Sequence, residues 1–438
     1  MSGWPSISGL RKVAVRAFPV GLGLVCLFVG QAWLARLVGV EVFGSYGYVL
    51  TWITGGAIVA RAGYEWVLIK TLPGMFRDRR HGAARFLLVD AFRAVSVRAI
   101  VAAVVVASAL WLNKPSSPPL DRVAVITATA LVFLLAWGGV RRAWGLAHGA
   151  TWLAETPENI VKPILLVVAA ASLISINGAI SVSDLIEVNL VVTALAVIIG
   201  LALLLRKDWS IVDTTAKPLD LAPSRSLMRA MWLTTVLNMV LRSADILLIG
   251  ALTDARTTGL YIAASRLAAI AGTPVTILDQ VVAPRLALAH ESGDKAELLR
   301  ITMEYGLLAA AGCFAFLGLL ILMGPNMVTA VFGDAFSESA PLVGILLAGH
   351  AVNSLTGASG LLLSMTGSHQ LSLLIAIIGA VTMVLLLCFL TPLFQAFGAA
   401  AAFSLAVTIK NSAQVAFVVR RIGINPTLLR LPNFGNSR

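Results

Sequence analysis

The chain is a succession of apolar segments, each close to the roughly 20 residues that a helix needs to cross a lipid bilayer. Twelve such segments are separated by short connections within the 438 residues. They cover 18–38, 45–69, 88–112, 122–146, 157–175, 185–205, 228–252, 258–283, 302–323, 339–364, 371–391 and 397–419. Because backbone polar groups in lipid must be paired within each segment, the pattern predicts an all-α integral membrane protein of about twelve transmembrane helices.

The amino-acid composition supports the same class of protein. Charged residues make up 12% of the chain, whereas a soluble domain carries roughly 25%. The formal net charge is +12, which in a soluble protein would suggest a nucleic-acid partner. Here the basic residues collect in the connections between apolar segments, so we expect membrane lipids and no nucleic acid as partners.

The distribution of Lys and Arg predicts the orientation of the helices. If the N-terminus is cytoplasmic, most of the 33 basic residues fall in cytoplasmic pieces, Arg141 and Arg142 among them. The external pieces then hold only Lys114, Arg122 and Arg256. This asymmetry is typical of helices inserted with their basic loops inside. It predicts a multi-pass protein of the cell inner membrane with both termini cytoplasmic.

The two halves of the sequence share a weak internal repeat. The triplet at 44–46, Gly-Ser-Tyr, recurs about half the chain length later as Gly-Leu-Tyr at 259–261, and Lys70 recurs as Arg285. We therefore predict an N-terminal six-helix bundle over 1–205, a cytoplasmic linker over 206–227 and a C-terminal six-helix bundle over 228–438. Six helices per half give a parallel repeat, with a substrate path expected between the halves.

Charged residues occur inside the apolar segments, where each costs about 2.5–3.5 kcal/mol on insertion scales. Eight are cations and three are anions: Arg36, Arg61, Arg93, Arg98, Lys162, Arg242, Arg266 and Lys410, with Glu65, Asp245 and Asp279. A water-filled cavity would reduce the cost. Our hypothesis is that a cationic cavity binds an anionic substrate such as a phosphate or pyrophosphate, and that its cations are Arg36, Arg61, Arg98, Arg242, Arg266 and Lys410.

Other interpretations of these charges stay open. Four of them, Arg36, Arg93, Lys162 and Asp279, are near enough to predicted helix ends to extend to the membrane surface. Two pairs, Arg61 with Glu65 and Arg242 with Asp245, have the spacing of ion pairs on one helix. Glu65, Asp245 and Asp279 are therefore either structural counterions or sites that bind a coupling cation or proton.

Sequence signatures of catalysis are lacking. There is no Gly-x-x-x-x-Gly-Lys loop, which excludes an ATP-driven pump with its own nucleotide domain. The five histidines have no metal-ligand spacing, and the short outer loops hold no paired carboxylates. We expect no catalytic residue, no metal and no cofactor, and therefore a protein that is not an enzyme.

Three stretches resemble the polysaccharide flippases of the multidrug/oligosaccharidyl-lipid/polysaccharide exporter superfamily. The first is 34–39 followed by 43–46, Leu-Ala-Arg-Leu-Val-Gly and Phe-Gly-Ser-Tyr. The second runs from Asp245 through Gly259 to Leu286 and is the most specific. The third runs from Phe332 through 360–363 to Ala400. Together they span most of the chain.

The resemblance implies a V-shaped pair of six-helix bundles with a central cavity, which works by alternating access. It implies a substrate of polyprenyl pyrophosphate linked to an oligosaccharide, moved from the cytoplasmic to the outer leaflet during synthesis of a surface polysaccharide such as lipopolysaccharide or exopolysaccharide. Polysaccharide polymerase and glycosyltransferases are the partners it suggests. Two alternatives stay open, namely an exporter of drugs or other lipids with the same fold and a membrane polysaccharide polymerase.

Overall fold

In the computed structural model, the described residues are 7–112, 121–207, 222–365 and 369–428, and all their regular elements are helices. The chain divides by packing into two compact units, Met1–Met239 and Val240–Arg438. We call them unit 1 and unit 2.

The helices that precede residue 208 all belong to unit 1. They are α1 (Ile7–Arg61), α2 (Tyr64–Arg77), α3 (His81–Leu112), α4 (Arg122–Ala147), α5 (Thr151–Thr156), α6 (Lys162–Asn177) and α7 (Val182–Lys207). A π-helical turn over Pro157–Val161 joins α5 to α6. The most buried of these helices is α4, which packs against α1, α2, α3 and α7.

The next helix, α8 (Ala222–Leu252), begins in unit 1 and ends in unit 2. Unit 2 continues with α9 (Ala255–Glu291), α10 (Lys295–Met323), α11 (Asn326–Phe332), α12 (Ala340–Leu355), α13 (Ser359–Met365) and α14 (His369–Ile422). A 3-10 turn over Asp334–Ser339 precedes α12. The core of unit 2 is formed where α9 packs on α10 and α12, and where α12 packs on α14.

Ten helices in the described part of the chain are long and apolar enough to cross a membrane. Two of them are interrupted: α1 by Gly39, with φ +79°, and α14 by Gln395, with φ +50°. Their apolar lengths of 44 and 53 residues correspond to more than 60 Å at about 1.5 Å per residue, twice a hydrocarbon core of about 30 Å. Each therefore supplies two spans, and the predicted all-α, multi-pass membrane fold is confirmed.

Several helix ends differ from the sequence prediction. The segment predicted over 45–69 ends at Arg61, because Ala62 and Gly63 have positive φ, and α2 begins at Tyr64. A Cβ at Gly63 would collide with the carbonyl oxygen of Met228, so glycine is required at this break. The segment predicted over 339–364 is divided at Gly357, where φ is +64° and the Pro426 carbonyl approaches closely.

The predicted linker over 206–227 is largely outside the described residues. Helix α7 includes residues 206 and 207, α8 includes 222–227, and 208–221 are not described. The division between the compact units falls inside α8, at residue 239. The boundaries of the two six-helix bundles and the repeat that relates them stay predictions.

Two tyrosines at equivalent positions of the proposed repeat have similar surroundings. Tyr46 is buried in unit 1 and accepts a hydrogen bond of 2.7 Å from the amide of Asn189. Tyr261 is buried in unit 2 and donates a hydrogen bond of 2.7 Å to the carboxylate of Asp245. In both units a buried polar side chain thus satisfies the phenol, as burial requires.

Candidate functional site

Unit 1 contains a cavity of about 890 Å³ between the second half of α1, the middle of α3 and the first half of α8. Each helix contributes a face to it because of its sequence. On α3, Val97, Val101 and Val105 recur every four residues and so share one face. On α1, the adjacent Gly55 and Gly56 have no side chains to fill the space. The cavity lining is largely apolar, with a few charged groups.

One end of this cavity is polar, and it is built around Tyr64. The Tyr64 hydroxyl donates a hydrogen bond of 2.8 Å to Asp90 on α3. The guanidinium carbon of Arg98 lies 5.4 Å from the centre of the Tyr64 ring, within the range of a cation–π contact. Arg229 follows Met228, whose carbonyl contacts the backbone at Gly63. Two arginines and one carboxylate therefore meet at this end, with a net charge of +1.

The other end of the cavity is apolar. The methyl of Met239 on α8 lies against Gly55, and a Cβ at Gly56 would be only 2.8 Å from a methyl of Val106. Gly55 lies six residues before Arg61, the last residue of α1, so the apolar end is about 9 Å from the end of that helix at 1.5 Å per residue. The Trp232 indole is held in place because it donates 3.1 Å to the carbonyl of Val59. The cavity is thus amphipathic along its length.

A second set of charges in unit 1 lies beside α4. Arg61 and Glu65 form an ion pair of 2.6 Å across the break between α1 and α2, as their spacing allowed. The guanidinium of Arg61 packs on Gly139 of α4. This pairing explains how the charge of Arg61 is accommodated without a substrate, and Arg61 does not line the 890 Å³ cavity.

Arg141 and Arg142, which the sequence places among the cytoplasmic pieces, belong to a helix, and their sidedness stays a prediction. Both are within α4, and the side chain of Arg141 is 0% exposed. It donates 2.9 Å to the Leu153 carbonyl and 3.0 Å to the Ala154 carbonyl, and it pairs with Glu158 at 3.1 Å. We call Arg141, Arg142, Glu155 and Glu158 the Arg141 cluster.

The Arg141 cluster follows from the prolines around the π-helical turn. Pro157 has no N–H, so the Leu153 carbonyl lacks its ordinary helical donor, and Arg141 supplies one instead. Arg142 binds the buried carboxylate of Glu155 at 2.7 Å. Lys162 follows this turn inside a helical stretch that runs from 151 to 177, close to the charge of Glu158. Its extension to the membrane surface stays a prediction.

Unit 2 contains a smaller, polar pocket of about 260 Å³ between α9, α10, α12, α13 and α14. The Tyr305 hydroxyl donates 2.8 Å to Asp279, and the Asn411 amide donates 2.9 Å to Asn353. Lys410 lines the pocket beside Asn411, with its methylene groups against Gly379. Among the described residues no carboxylate lies within 4 Å of the Lys410 ammonium group.

The remaining predicted site residues of unit 2 fall into two environments. Arg242 and Lys410 both interact electrostatically with Asp279. Two cations and one anion therefore share that region. Asp245 is buried on α8 and is bound by Tyr261 and by the backbone of Ile246, with Arg266 as a nearby charge. The spacing of Arg242 and Asp245 allowed an ion pair. In the described part of the chain, these two residues do not form one.

Arg36 is exposed on the first half of α1 and does not line the cavity of unit 1. Of the six predicted cations, the structure therefore places Arg98 at the amphipathic cavity and Lys410 at the polar pocket. Sequence reasoning missed Tyr64, Asp90 and Arg229 in unit 1. Asp90 had a usable signal, because it is a carboxylate two helical turns from Arg98.

The fold is similar to that of several solved transporters. It matches an inward-facing multidrug resistance MATE family transporter of the MOP superfamily with a TM-score of 0.72 at 13% identity, over 92% of this chain and 94% of that chain. It matches the lipid II flippase MurJ with a TM-score of 0.71 at 11% identity, over 92% and 87%. It matches a MOP superfamily transporter from Pyrococcus furiosus with a TM-score of 0.56 at 14% identity, over 94% of this chain and 95% of that chain.

These likenesses show the fold, which is the one seen in these solved structures. Residues 33–341 match the polysaccharide biosynthesis protein family, and the chain belongs to that family. No curated protein matches it at a significant level.

Proposed function

We propose that the protein is a flippase that moves a polyprenyl-pyrophosphate-linked oligosaccharide from the cytoplasmic to the outer leaflet of the cell inner membrane, by alternating access. The observation that carries the proposal is the amphipathic cavity of unit 1, which has Arg98 and Arg229 at one end and apolar side chains at the other. A substrate with an anionic head and an apolar tail suits such a cavity.

The polar pocket of unit 2 supports the same class of substrate. It presents amide, hydroxyl and ammonium groups, from Asn353, Ser364, Lys410 and Gln414, which suit the hydroxyl groups of a sugar and the charge of a phosphate. Membership of the polysaccharide biosynthesis protein family points to a saccharide rather than to a drug. One structural relative is a lipid II flippase, which supports a lipid substrate.

The remaining parts of the proposal follow from that substrate. The protein is a transporter and not an enzyme, and it uses no cofactor. Both termini are in the cytoplasm, and the glycosyltransferases and polymerase of polysaccharide synthesis act before and after it. Arg242 and Arg266 remain candidates for substrate contacts, as do Arg36 and Arg61, and Glu65, Asp245 and Asp279 remain candidates for coupling to a cation or proton.

A deletion strain tests the proposal. We expect lipid-linked oligosaccharide to accumulate on the cytoplasmic side of the membrane. An external lectin or glycosidase, which cannot cross the membrane, should not reach it there. The intact gene should restore outward display of the saccharide, and genes that carry Arg98→Gln or Lys410→Gln should restore it poorly. Arg420→Gln changes an exposed residue at the end of α14. It is the matched control and should restore display as the intact gene does. Unchanged outward display in a strain without any second flippase would contradict the proposal and favour export of another compound.

A further inference from the structure

Both units contain a hydrogen bond between a tyrosine and an aspartate at the edge of a pocket. In unit 1 the Tyr64 hydroxyl donates 2.8 Å to Asp90, and in unit 2 the Tyr305 hydroxyl donates 2.8 Å to Asp279. The partners are 26 residues apart in both cases. The first two residues line the cavity of unit 1, and the other two line the polar pocket of unit 2. We call these contacts the two Tyr–Asp pairs.

The two Tyr–Asp pairs are at equivalent positions of the proposed repeat, but their residue types are exchanged. The offset that places Lys70 on Arg285 also places residue 64 on residue 279 and residue 90 on residue 305. The tyrosine of each pair therefore corresponds to the aspartate of the other. Because neither position keeps its residue type while the contact is kept, the hydrogen bond itself is the feature that the two units share.

A cation accompanies each pair without binding the aspartate. In unit 1, Arg98 lies over the ring of Tyr64, with its guanidinium carbon 5.4 Å from the ring centre. In unit 2, Lys410 lines the same pocket as Asp279 and interacts with its charge. Among the described residues, neither cation has a carboxylate within 4 Å. In each pocket, the aspartate that could neutralise the cation is bound by a tyrosine instead.

A tyrosine hydroxyl can hold a carboxylate without occupying the cation. Carboxylates only accept hydrogen bonds, whereas guanidinium and ammonium groups only donate them. The phenol donates its hydrogen to the carboxylate and takes no N–H group from the cation, so these groups stay available for an anion. A hydrogen bond to a charged acceptor is about twice as strong as a neutral one, and an ion pair that water can reach contributes little. The phenol can therefore compete with the cation for the carboxylate.

The geometry allows the aspartate to pair with the cation when the phenol is absent. Side chains on a helix tilt toward its N-terminus, so Arg98 is directed back along α3 toward Asp90, about two turns earlier. The Tyr64 ring connects them, since its hydroxyl binds Asp90 and its face lies under Arg98. In unit 2 the aspartate interacts with Arg242 as well as with Lys410, so the tyrosine there competes with two cations.

We propose that Tyr64 and Tyr305 are positioning residues, whose hydroxyls hold an aspartate away from the neighbouring cation and so keep that cation open to an anion. The cation is Arg98 in unit 1 and Lys410 in unit 2. The proposal rests on the proposed function in that the anion is part of the transported molecule. Without the hydroxyl, the aspartate pairs with the cation, and an anion has to displace it. The tyrosines thus set the anion affinity of both pockets without touching the anion.

A cycle of single and double variants tests unit 1. The probe is inorganic pyrophosphate, titrated by calorimetry into the full-length protein in phosphatidylcholine nanodiscs. Lys410→Gln is present throughout, so that the pocket of unit 2 does not contribute. Tyr64→Phe keeps the ring under Arg98, removes the hydroxyl and should weaken binding about tenfold, the ratio expected for one contact with a charged group. Asp90→Asn removes the competing charge, and its addition to Tyr64→Phe should restore the affinity.

The same cycle is expected in unit 2, with Arg98→Gln present throughout. Tyr305→Phe should weaken pyrophosphate binding, and the addition of Asp279→Asn should reverse the loss. Reversal in both units supports the equivalence of the two Tyr–Asp pairs. Reversal in one unit alone would overturn that equivalence.

Tyr46→Phe is the matched control in unit 1. Its hydroxyl is buried, accepts a hydrogen bond from the neutral Asn189 and does not line the cavity. Its loss should lower the melting temperature and leave the pyrophosphate affinity unchanged. If Tyr64 is merely structural, two losses add, and the double variant binds no better than Tyr64→Phe. That result would overturn the proposal, as would equal affinities with and without Tyr64→Phe, or no pyrophosphate binding before either substitution.

Outward display of saccharide in cells separates this inference from the proposed function. Normal display by the wild type, with no reversal in either cycle, would remove the positioning role and leave the flippase function standing. Reversal in both cycles, without any display by the wild type, would keep the positioning role and remove the flippase function.

Discussion

Replacing Arg141 with alanine is expected to lower the free energy of unfolding by about 3–5 kcal/mol, the usual cost of removing one partner from a buried ion pair. The side chain is 0% exposed and donates to two carbonyl oxygens besides Glu158. Without it, the Leu153 carbonyl has no donor, because residue 157 is a proline. Thermal unfolding of the purified protein in detergent measures the loss.

Two further variants identify the cause. Arg77→Ala removes an arginine that is 82% exposed and paired with Asp78, and it should change stability by no more than about 1 kcal/mol. The double variant with Arg141→Met and Glu158→Gln removes the unpaired charge, so it should recover part of the lost stability. It should not recover all of it, since the Leu153 carbonyl loses the donor that stands in for the missing N–H of Pro157. Equal stability of Arg141→Ala and Arg77→Ala would contradict the structural role of the Arg141 cluster.

Neutralising Lys410 is expected to slow transport of the lipid-linked saccharide about 10- to 100-fold, if its ammonium group makes one charge-assisted contact with the substrate. Lys410 lines the polar pocket of unit 2 beside Asn411, and no described carboxylate pairs with it within 4 Å. A lysine with a purely structural role at such a depth would be expected to have an acidic partner at ion-pair distance.

The charge and the shape of Lys410 can be separated experimentally. Lys410→Gln removes the charge, and Lys410→Arg keeps it with a longer head group. We expect transport by Lys410→Arg to exceed that of Lys410→Gln at equal amounts of protein in the membrane. If both variants transport at the wild-type rate, Lys410 does not contact the substrate, and the cationic hypothesis for unit 2 fails.

The fold could be predicted from the sequence because the bilayer imposes one simple rule. Apolar length alone decides which segments span it. The ten spanning helices, two of which supply two spans each, correspond to the twelve predicted segments. The exact breaks could not be predicted. Gly357 and Gly63 are required by the carbonyl groups of Pro426 and Met228, which are distant in sequence.

The candidate site was predictable only in part. Arg98 and Lys410 were found because a charge in an apolar segment is costly, and both line cavities. The buried contacts of Arg141 were missed, because two consecutive arginines near a helix end look like a cytoplasmic boundary. Its acceptors are on α5 and in the π-helical turn, and no spacing rule for a single helix connects them.

The central claim is that the protein moves an anionic lipid-linked saccharide across the membrane. The most direct measurement reconstitutes the purified protein into vesicles that contain a fluorescent polyprenyl-pyrophosphate-linked oligosaccharide, and then adds a quencher that cannot cross the bilayer. We predict that the inner-leaflet share of the probe becomes accessible with the wild type and much more slowly with Arg98→Gln. If the inner-leaflet probe stays protected from the quencher while a fluorescent cationic drug crosses the membrane of the same vesicles, the flippase function is contradicted. The protein is then an exporter of drugs.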